Sequence, residues 1–289
     1  MTLDILSSTM LHTKEKLTKA VSEVVNRSAF FSTVYGNCWR YWFHLADNRI
    51  TNNVSDITAE FDVSTRSEYV RAKQLGGEKP ILATLLDELD GDEIVWDIGA
   101  CVGTYSCFIA NALTSGRVIA FEPNPRNRTR LMENLQLTND AHRWDISPVA
   151  LYNDTSEKYL VSEFVEVGSG HHYLTAKSDV DNIDSENKIL IETQKADDLI
   201  NQGYPAPDVI KIDVQGAEMP VLKGMKQTLA KTDTIFIEIH TEKCRRYNSS
   251  VADIKSLLQE LGYELTKLAE PTTRRTGVCY ICARRPESK

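Results

Sequence analysis

Two carboxylates in the 289-residue chain each follow an apolar strand and precede a turn. Asp97 ends the first strand, and the turn after it carries Gly99 and Gly103. Glu122 ends the next strand and is followed by proline. A glycine turn lets a ligand approach the backbone, and a carboxylate at the next strand end can accept hydrogen bonds from a ribose diol. Together the two features predict that the protein binds a nucleoside.

The same turn lacks the features that bind phosphate. Its glycines have the spacing GxxxG, without the third glycine of the GxGxxG dinucleotide turn, and the chain contains no GxxxxGK[ST] loop. A nucleoside without phosphate therefore fits best. S-adenosylmethionine is the common ligand of that kind, and we predict it as the cofactor.

A second set of polar residues belongs to two later apolar strands. Asp213 ends one strand, and Glu238 and His240 lie two apart on the other, so that their side chains share one face. If the two strands are neighbours, the three side chains converge. They would then form an acid–base set that deprotonates a hydroxyl, with His240 as the natural base near pH 7. Glu218, in the first turn of a following helix, either joins this set or only complements the helix dipole.

Two other interpretations of this set stay open. One histidine and two carboxylates are also suitable metal ligands, and a histidine on a strand is often structural. We favour catalysis or substrate binding by Asp213, Glu218, Glu238 and His240, and we predict no resident metal.

The elements that must position these residues alternate between strand and helix. The predicted strands cover residues 94–97, 118–122, 147–151, 209–213 and 234–240, and the predicted helices cover residues 79–89, 103–113, 126–137, 218–229 and 251–261. Two final strands, 264–268 and 278–283, form an antiparallel closing pair. Such alternation predicts an α/β fold with a mostly parallel sheet and helices on both faces. The strand at 188–192 is expected outside this alternation, and residues 152–187 are expected to form a long loop or irregular insertion over the site.

The first 50 residues differ from the rest of the chain. Their apolar residues recur at helical spacing, and an aromatic cluster follows at residues 30–43. We predict a helical extension, residues 1–50, that packs on the core or on a second subunit of a homo-oligomer, ahead of a catalytic domain at 51–289. Attachment to a membrane surface or a lipid-linked substrate is the alternative.

The composition narrows the possible partners and compartments. The formal net charge of −8 argues against nucleic acid binding, which requires a basic surface. The chain has no apolar run of the roughly 18 residues that a membrane span needs, and we expect no secretory signal before the first helix. A cytoplasmic protein is therefore expected. Cys279 and Cys282 point to opposite faces of one strand, so we expect packed thiols rather than a zinc site.

At these residues the chain resembles the FkbM family of S-adenosylmethionine-dependent methyltransferases. The similarity covers roughly residues 78–283, and its most specific part is the run KIDVQGAE at 211–218. The matching stretches are VWDIGACVGTY at 95–105, AFEPNP at 120–125, PVAL at 148–151, IKIDVQGAE at 210–218 and FIEIH at 236–240. Two departures are Gln215, where the family more often has glutamate, and Cys101, where asparagine is common. The loss of one carboxylate at position 215 weakens the metal alternative.

The resemblance implies a Rossmann-like class I methyltransferase fold with a seven-stranded, mostly parallel sheet whose last strand is antiparallel. It also implies that Asp97, Gly99 and Gly103 line the methionine side of the cofactor, that Glu122 holds the ribose, and that Ala150 lies near the adenine. The implied reaction is methyl transfer to an oxygen: a hydroxyl or uronic acid carboxylate of a sugar or lipid-linked saccharide, or a secondary metabolite.

Two functions from other classes remain as alternatives. A nicotinamide-dependent oxidoreductase would use a similar fold, but the missing third glycine argues against it. A non-catalytic partner protein could keep the fold and bind another protein through the aromatic cluster, but the intact acids at the strand ends argue against that.

Overall fold

A computed structural model describes residues 48–138, 140–163, 166–180, 182–268 and 277–286. The described elements belong to a compact unit made of residues 49–63 and 67–289. The predicted helical extension, with its aromatic cluster at 30–43, falls almost entirely outside the described residues. The division of the chain at residue 50, the homo-oligomer and the membrane-surface contact therefore stay predictions.

A seven-stranded sheet forms the centre of this unit. Its strands, in chain order, are β3 (Ile94–Ile98), β4 (Arg117–Phe121), β5 (Trp144–Ser147), β10 (Val209–Ile212), β11 (Thr234–His240), β12 (Glu264–Lys267) and β13 (Val278–Arg284). Their order across the sheet is β12-β13-β11-β10-β3-β4-β5. Strand β13 is antiparallel to both of its neighbours, and the remaining pairs are parallel. The structure thus confirms the Rossmann-like fold with an antiparallel last strand.

Helices connect and flank the strands. They are α1 (Arg66–Gln74), α2 (Lys79–Leu86), α3 (Thr104–Ala112), α4 (Pro125–Leu135), α5 (Ala196–Asn201), α6 (Glu218–Lys223), α7 (Lys226–Leu229) and α8 (Val251–Glu260). Local signals explain several of their ends. The Asn124 side chain accepts hydrogen bonds from the first backbone N–H groups of α4, and Ser250 and Asp253 form the expected capping box of α8.

The predicted helix at 218–229 is instead two short helices separated at Gly224. A Cβ at Gly224 would lie 1.9 Å from the Tyr152 carbonyl oxygen. The backbone of Tyr152 therefore packs against the chain between the end of α6 and the start of α7. The strand predicted at 147–151 is also divided, because β5 ends at Ser147 and residues 150–151 pair elsewhere.

A second sheet replaces the loop expected at residues 152–187. Strands β6 (Ala150–Leu151), β7 (Ser156–Ser162), β8 (His172–Thr175) and β9 (Lys188–Gln194) form it in the order β6-β9-β7-β8. The prediction of a loop was wrong because β7 carries serine, glutamate and lysine, and its strand pairing with β9 compensates for this weak apolar pattern. The expectation that residues 188–192 form a strand outside the main sheet is confirmed.

An antiparallel hairpin, β1 (Arg49–Val54) and β2 (Ile57–Asp62), precedes the helices. The main core is formed by the central strands, whose largest buried side chains include Trp96 and Phe121 with ring centroids 4.9 Å apart. Cys279 and Cys282 both lie on β13, opposite Ile239 and Phe236 of β11. None of the described helices is long and apolar enough to cross a membrane.

Candidate active site

The carboxyl ends of three parallel strands meet at one edge of the main sheet, beside a cavity of about 700 Å³. We call it the large cavity. Gly99 follows β3, Glu122 follows β4, and Asp213 follows β10, and all three line it. Ala150, on β6 of the second sheet, lies on its wall. This is the edge at which open α/β sheets bind their ligands.

The two glycines of the turn after β3 are required by packing. Gly99 has φ +85°, and a Cβ there would lie 1.9 Å from the Asp213 carbonyl oxygen. Gly103 has φ +87°, and its Cβ would lie 2.8 Å from Leu131 Cδ1. Gly99 also lines the large cavity, whereas Gly103 lies against α4 and does not. The turn between them includes Cys101, a non-glycine residue with φ +54°.

Glu122 is held by two backbone N–H groups. Cys101 N donates to one carboxylate oxygen and Asn124 N to the other, both at 2.8 Å. Burial raises the pKa of Glu122 to about 7, although these hydrogen bonds and nearby arginines lower it. Each carboxylate oxygen has a second lone pair for a ligand hydroxyl. The carboxylate is therefore oriented before any ligand binds.

Part of the lining of the large cavity is apolar. It includes Phe121, Val149, Ala150, Leu151 and Leu160. Such a wall, next to an oriented carboxylate, suits a flat heterocycle attached to a ribose. Ala150 belongs to this apolar lining, and its place near the adenine stays a prediction.

A second cavity of about 340 Å³ adjoins the first at Gly99, Cys101 and Asp213. We call it the side cavity. Glu78 and Arg71 line it together with Thr104, whose hydroxyl is buried and has no hydrogen-bond partner among the described residues. A buried hydroxyl with no partner is costly unless a ligand or water satisfies it. A ligand with ammonium and carboxylate groups matches this set of side chains.

Asp97 lies beneath the turn rather than at either cavity. It is fully buried, and its carboxylate accepts a hydrogen bond from Ser106 at 2.6 Å and lies 3.1 Å from Lys211 Nζ. Burial alone would lower the pKa of Lys211, but Asp97, Asp213 and other carboxylates raise it well above its usual range. Asp97 therefore neutralises a buried lysine, and Lys211 rather than Asp97 reaches the side cavity.

Asp213 is the member of the second predicted set that lines both cavities. Gln215 Nε2 donates a hydrogen bond to Asp213 Oδ1 at 2.9 Å, and Lys243 Nζ donates to Gln215 Oε1 at 2.6 Å. Lys211 and other positive groups lower the pKa of Asp213 and outweigh the opposing effect of burial. A carboxylate at the junction of two cavities can accept a proton or hydrogen bond from a ligand.

His240 lies behind Asp213 among carboxylates. Its Nδ1 is 3.1 Å from Glu218 Oε1, and its Nε2 is 3.3 Å from Glu238 Oε1 and 3.9 Å from Asp213 Oδ1. Burial favours the neutral ring, but the hydrogen bonds to Glu218 and Glu238 and the charge of Asp213 raise the pKa of His240 to about 10. Glu218 is itself held by Gly216 N at 2.9 Å.

The state of the His240 ring bears on its predicted role as base. If the ring is protonated, as its pKa indicates, it has no lone pair to offer. If it is neutral with its proton on Nδ1, its Nε2 faces the Gln215 amide nitrogen at 2.9 Å. If it is neutral with its proton on Nε2, the lone pair on Nδ1 faces Glu218 Oε1 at 3.1 Å. None of these states leaves a lone pair for a ligand hydroxyl, so the arrangement favours Asp213 over His240 as the base.

Asp213, Glu238 and His240 also offer ligand atoms that all lie within 4.8 Å of one another. The set could hold a metal ion. However, Gln215 Nε2 lies 2.9 Å from both Asp213 Oδ1 and His240 Nε2. A cation would therefore have to displace an amide that already bridges two of the three ligands.

Comparison with known proteins identifies the family. The profile of the methyltransferase FkbM domain matches residues 97–265, more than half of the chain. The chain belongs to the FkbM methyltransferase family. It is therefore a methyltransferase, which argues against both the oxidoreductase and the non-catalytic alternatives.

Two relatives of this FkbM methyltransferase have named activities. The hexuronic acid methyltransferase AglP of Haloferax volcanii is 31% identical over 237 residues, which are 79% of this chain and 90% of that protein. The 2-O-methyltransferase NoeI of Sinorhizobium fredii is 28% identical over 159 residues, which are 51% of this chain and 63% of that protein.

A solved structure shares the fold. The FkbM methyltransferase from Methylobacillus flagellatus aligns with a TM-score of 0.51 and 18% identity over 72% of this chain. The chain spans about half the length of that protein, 47%.

The predicted site residues of this FkbM methyltransferase fall into three groups. Gly99, Glu122, Ala150 and Asp213 line the large cavity. Glu218, Glu238 and His240 form the network behind Asp213. Glu238 also lines a separate small cavity between β11 and α2. Asp97 and Gly103 line neither cavity: Asp97 is fully buried beneath the turn after β3, and Gly103 packs against α4.

Sequence reasoning missed Arg71, Glu78, Thr104, Lys211 and Lys243. One signal was present: Lys211 is a lysine in an otherwise apolar strand, and it is the register partner of Asp97 on β3. A charge on a buried strand requires a partner, and Asp97 is the acid that a parallel pairing supplies.

Proposed function

We propose that the protein is an S-adenosylmethionine-dependent O-methyltransferase whose acceptor is a saccharide. The observation that carries this proposal is the pre-oriented Glu122 carboxylate in a cavity that continues past Gly99 to Asp213. The name of AglP describes methylation of a hexuronic acid and supports the acceptor class, and the name of NoeI describes 2-O-methylation and supports an oxygen target.

The residues present fit S-adenosylmethionine along the whole length of the two cavities. Glu122 would accept hydrogen bonds from the ribose hydroxyls, with the adenine against Phe121 and Ala150. In the side cavity, Glu78 would bind the ammonium group of the methionine end, and Arg71 and Thr104 its carboxylate. The unpartnered Thr104 hydroxyl would thereby gain a partner.

When bound, S-adenosylmethionine would supply a methyl group on sulfonium, which passes to the acceptor oxygen as the C–S bond breaks and the thioether leaves. Asp213 would accept the hydroxyl proton of the acceptor, because its carboxylate is ionised and lies where the two cavities meet. Gln215 fixes the orientation of that carboxylate from one side. Positioning of the two reactants supplies much of the acceleration in a displacement of this kind.

The charge on Asp213 also favours a hydroxyl over a carboxylate as the methylated group. A carboxylate nucleophile would be repelled by Asp213, with Glu238 and Glu218 close behind. A hydroxyl donates a hydrogen bond to Asp213 instead. We therefore propose that the acceptor oxygen is a sugar hydroxyl.

Calorimetric titration with S-adenosylmethionine and S-adenosylhomocysteine tests the cofactor. We expect both to bind to the wild-type protein, and no binding of either would overturn the proposal. Transfer of a labelled methyl group to a panel of neutral and acidic sugars then tests the acceptor. If label appears in an ester that mild alkali hydrolyses, the acceptor is a carboxylate; an alkali-stable ether supports a hydroxyl.

A further inference from the structure

A half-buried ammonium group lies next to Gln215, which lines the large cavity, and has only uncharged groups at hydrogen-bond distance. Lys243 Nζ donates to Gln215 Oε1 at 2.6 Å and lies 3.2 Å from His171 Nδ1. Among the described residues, no carboxylate forms an ion pair with it within 4.0 Å. Burial lowers the pKa of Lys243, although more distant acids oppose the shift. A partly buried charge of this kind normally has a counter-ion.

The backbone fixes Lys243 at this place. Gly216 has φ +109°, and a Cβ there would lie 2.7 Å from the Lys243 carbonyl carbon. The turn after β10 and the segment after β11 therefore pack closely, with Lys243 Nζ one hydrogen bond from Gln215 and two from Asp213. An anion bound to Lys243 would lie close to the proposed base.

A second cation, the guanidinium of Arg71 in α1, lines the large cavity. A Cβ at Gly170 would lie 2.4 Å from Arg71 Nη2 and 3.9 Å from Gln215 Nε2. The absence of a side chain at Gly170 thus lets the guanidinium extend toward Gln215. Arg71 Nε donates to the Gly168 carbonyl at 2.6 Å, which holds the guanidinium at the cavity that Arg71 lines.

We propose that the acceptor is an anionic saccharide, whose carboxylate or phosphate is bound by Lys243 while a hydroxyl of the same sugar reaches Asp213. This inference rests on the proposed function and adds the acid group of the acceptor that Lys243 binds. A pyranose ring with an exocyclic acid spans the two hydrogen bonds between Lys243 Nζ and Asp213. Bonds between an ammonium and an anion are about twice as strong as neutral ones, so the acid group would select the acceptor.

Binding of three sugars to the full-length protein saturated with S-adenosylhomocysteine tests this inference. The probes are glucose, glucuronic acid and glucose 1-phosphate, measured by ligand-observed NMR titration. We expect at least one of the two anionic sugars to bind at least tenfold more tightly than glucose. Preference for glucuronic acid identifies a carboxylate as the recognised group, and preference for glucose 1-phosphate identifies a phosphate.

Three variants assign the preference to Lys243. Lys243→Met keeps the aliphatic stem and should abolish the preference, and Lys243→Arg should keep most of it. Arg245→Met removes a charge two residues away, from an exposed side chain paired with Glu242, and should leave the preference unchanged. The affinity of each variant for S-adenosylhomocysteine reports whether its fold is intact.

The outcomes separate this inference from the proposed function. Equal binding of all three sugars to the wild type would overturn the inference alone, as would an unchanged preference in Lys243→Met. If Lys243→Met fails to fold, Lys243→Gln provides a second test, because it keeps a hydrogen-bonding side chain next to Gln215 but removes the charge. We expect it to weaken anion binding severalfold and leave glucose binding unchanged. Absence of S-adenosylhomocysteine binding to the wild type would instead overturn the proposed function.

Discussion

The two halves of the site hold their carboxylates in different ways. In the cofactor half, formed by the ends of β3 and β4, backbone N–H groups of Cys101 and Asn124 hold Glu122. In the acceptor half, formed by the ends of β10 and β11, the side chain of Gln215 links Asp213, His240 and Lys243. One half is built on turns, and the other is built on a network of side chains.

The difference indicates how each half can change. Backbone donors are present whatever the side chains are, so Glu122 keeps its orientation as long as the turns keep their conformation. A side-chain network depends on every member, because removing one leaves a buried polar partner unsatisfied. We therefore expect substitutions in the cofactor half to change affinity, and substitutions in the acceptor half to change turnover.

Asp213→Asn should have the largest effect. Asparagine has nearly the same shape but cannot accept a full proton, and loss of a general base typically lowers rates by about 10²–10⁴-fold. We expect kcat to fall by at least about a hundredfold on this ground, with the Kd for S-adenosylhomocysteine changed less than threefold (about 0.6 kcal/mol). Steady-state kinetics and calorimetry on the same preparation measure both.

His240→Asn is the matched comparison for Asp213→Asn. If His240 were the base, both variants would lose turnover to a similar degree and the wild-type profile would show a group titrating near pH 6.5. Because no state of the His240 ring offers a lone pair to a ligand, and its carboxylate neighbours raise its pKa to about 10, we expect the wild-type profile to lack that group. If Asp213→Asn weakened cofactor binding as much as turnover, the expectation that the acceptor half sets turnover alone would be wrong.

Glu122→Ala should have the next largest effect, and it should fall on affinity. Hydrogen bonds to a charged group contribute about 1.5–3 kcal/mol each, so the Kd for S-adenosylmethionine should rise at least about tenfold. At saturating cofactor, kcat should change little. Unchanged affinity would show that Glu122 does not bind the ribose. A loss confined to kcat would show that the cofactor half sets turnover and not affinity.

The pH dependence of cofactor binding provides a third test. Burial raises the pKa of Glu122 to about 7. The ribose hydroxyls donate to the ionised form, so lowering the pH protonates Glu122 and weakens binding. One unit below its pKa a carboxyl is only about one-tenth ionised, so the Kd should be roughly tenfold weaker at pH 6 than at pH 8. Glu122→Gln should bind the cofactor weakly, with a Kd that does not change with pH. If its Kd still depended on pH, the titrating group would be one other than Glu122.

The cofactor half could be predicted from the sequence because its requirements are local. Gly99 and Gly103 adopt positive φ angles that glycine favours, and Glu122 directly follows its strand. Those residue types at that spacing are visible without knowing the rest of the fold. Even so, the steric reason for Gly99 was not visible, because the atom it avoids is the Asp213 carbonyl oxygen on another strand.

The acceptor half could be predicted only in part. Strand periodicity placed Glu238 and His240 on one face, but it did not reveal that carboxylates surround the histidine and raise its pKa. Arg71, His171 and Lys243 come from three separate segments and meet only in the folded chain. The second sheet was missed for the same reason, since β7 depends on long-range pairing with β9.

Gln215→Met should have the smallest effect and the most specific one. The substitution keeps the length of the side chain but removes the hydrogen bonds to Asp213 and Lys243 and the contact with His240. Only the bond to Asp213 acts on the proposed base, and loss of one such bond is worth about 1 kcal/mol, so we expect kcat to fall about fivefold with cofactor affinity unchanged. Gln215→Glu is the informative partner, because its carboxylate can still accept from Lys243 but repels Asp213. If Gln215→Met instead weakened cofactor binding as much as turnover, the network would extend into the cofactor half, and the two halves would be one cooperative unit.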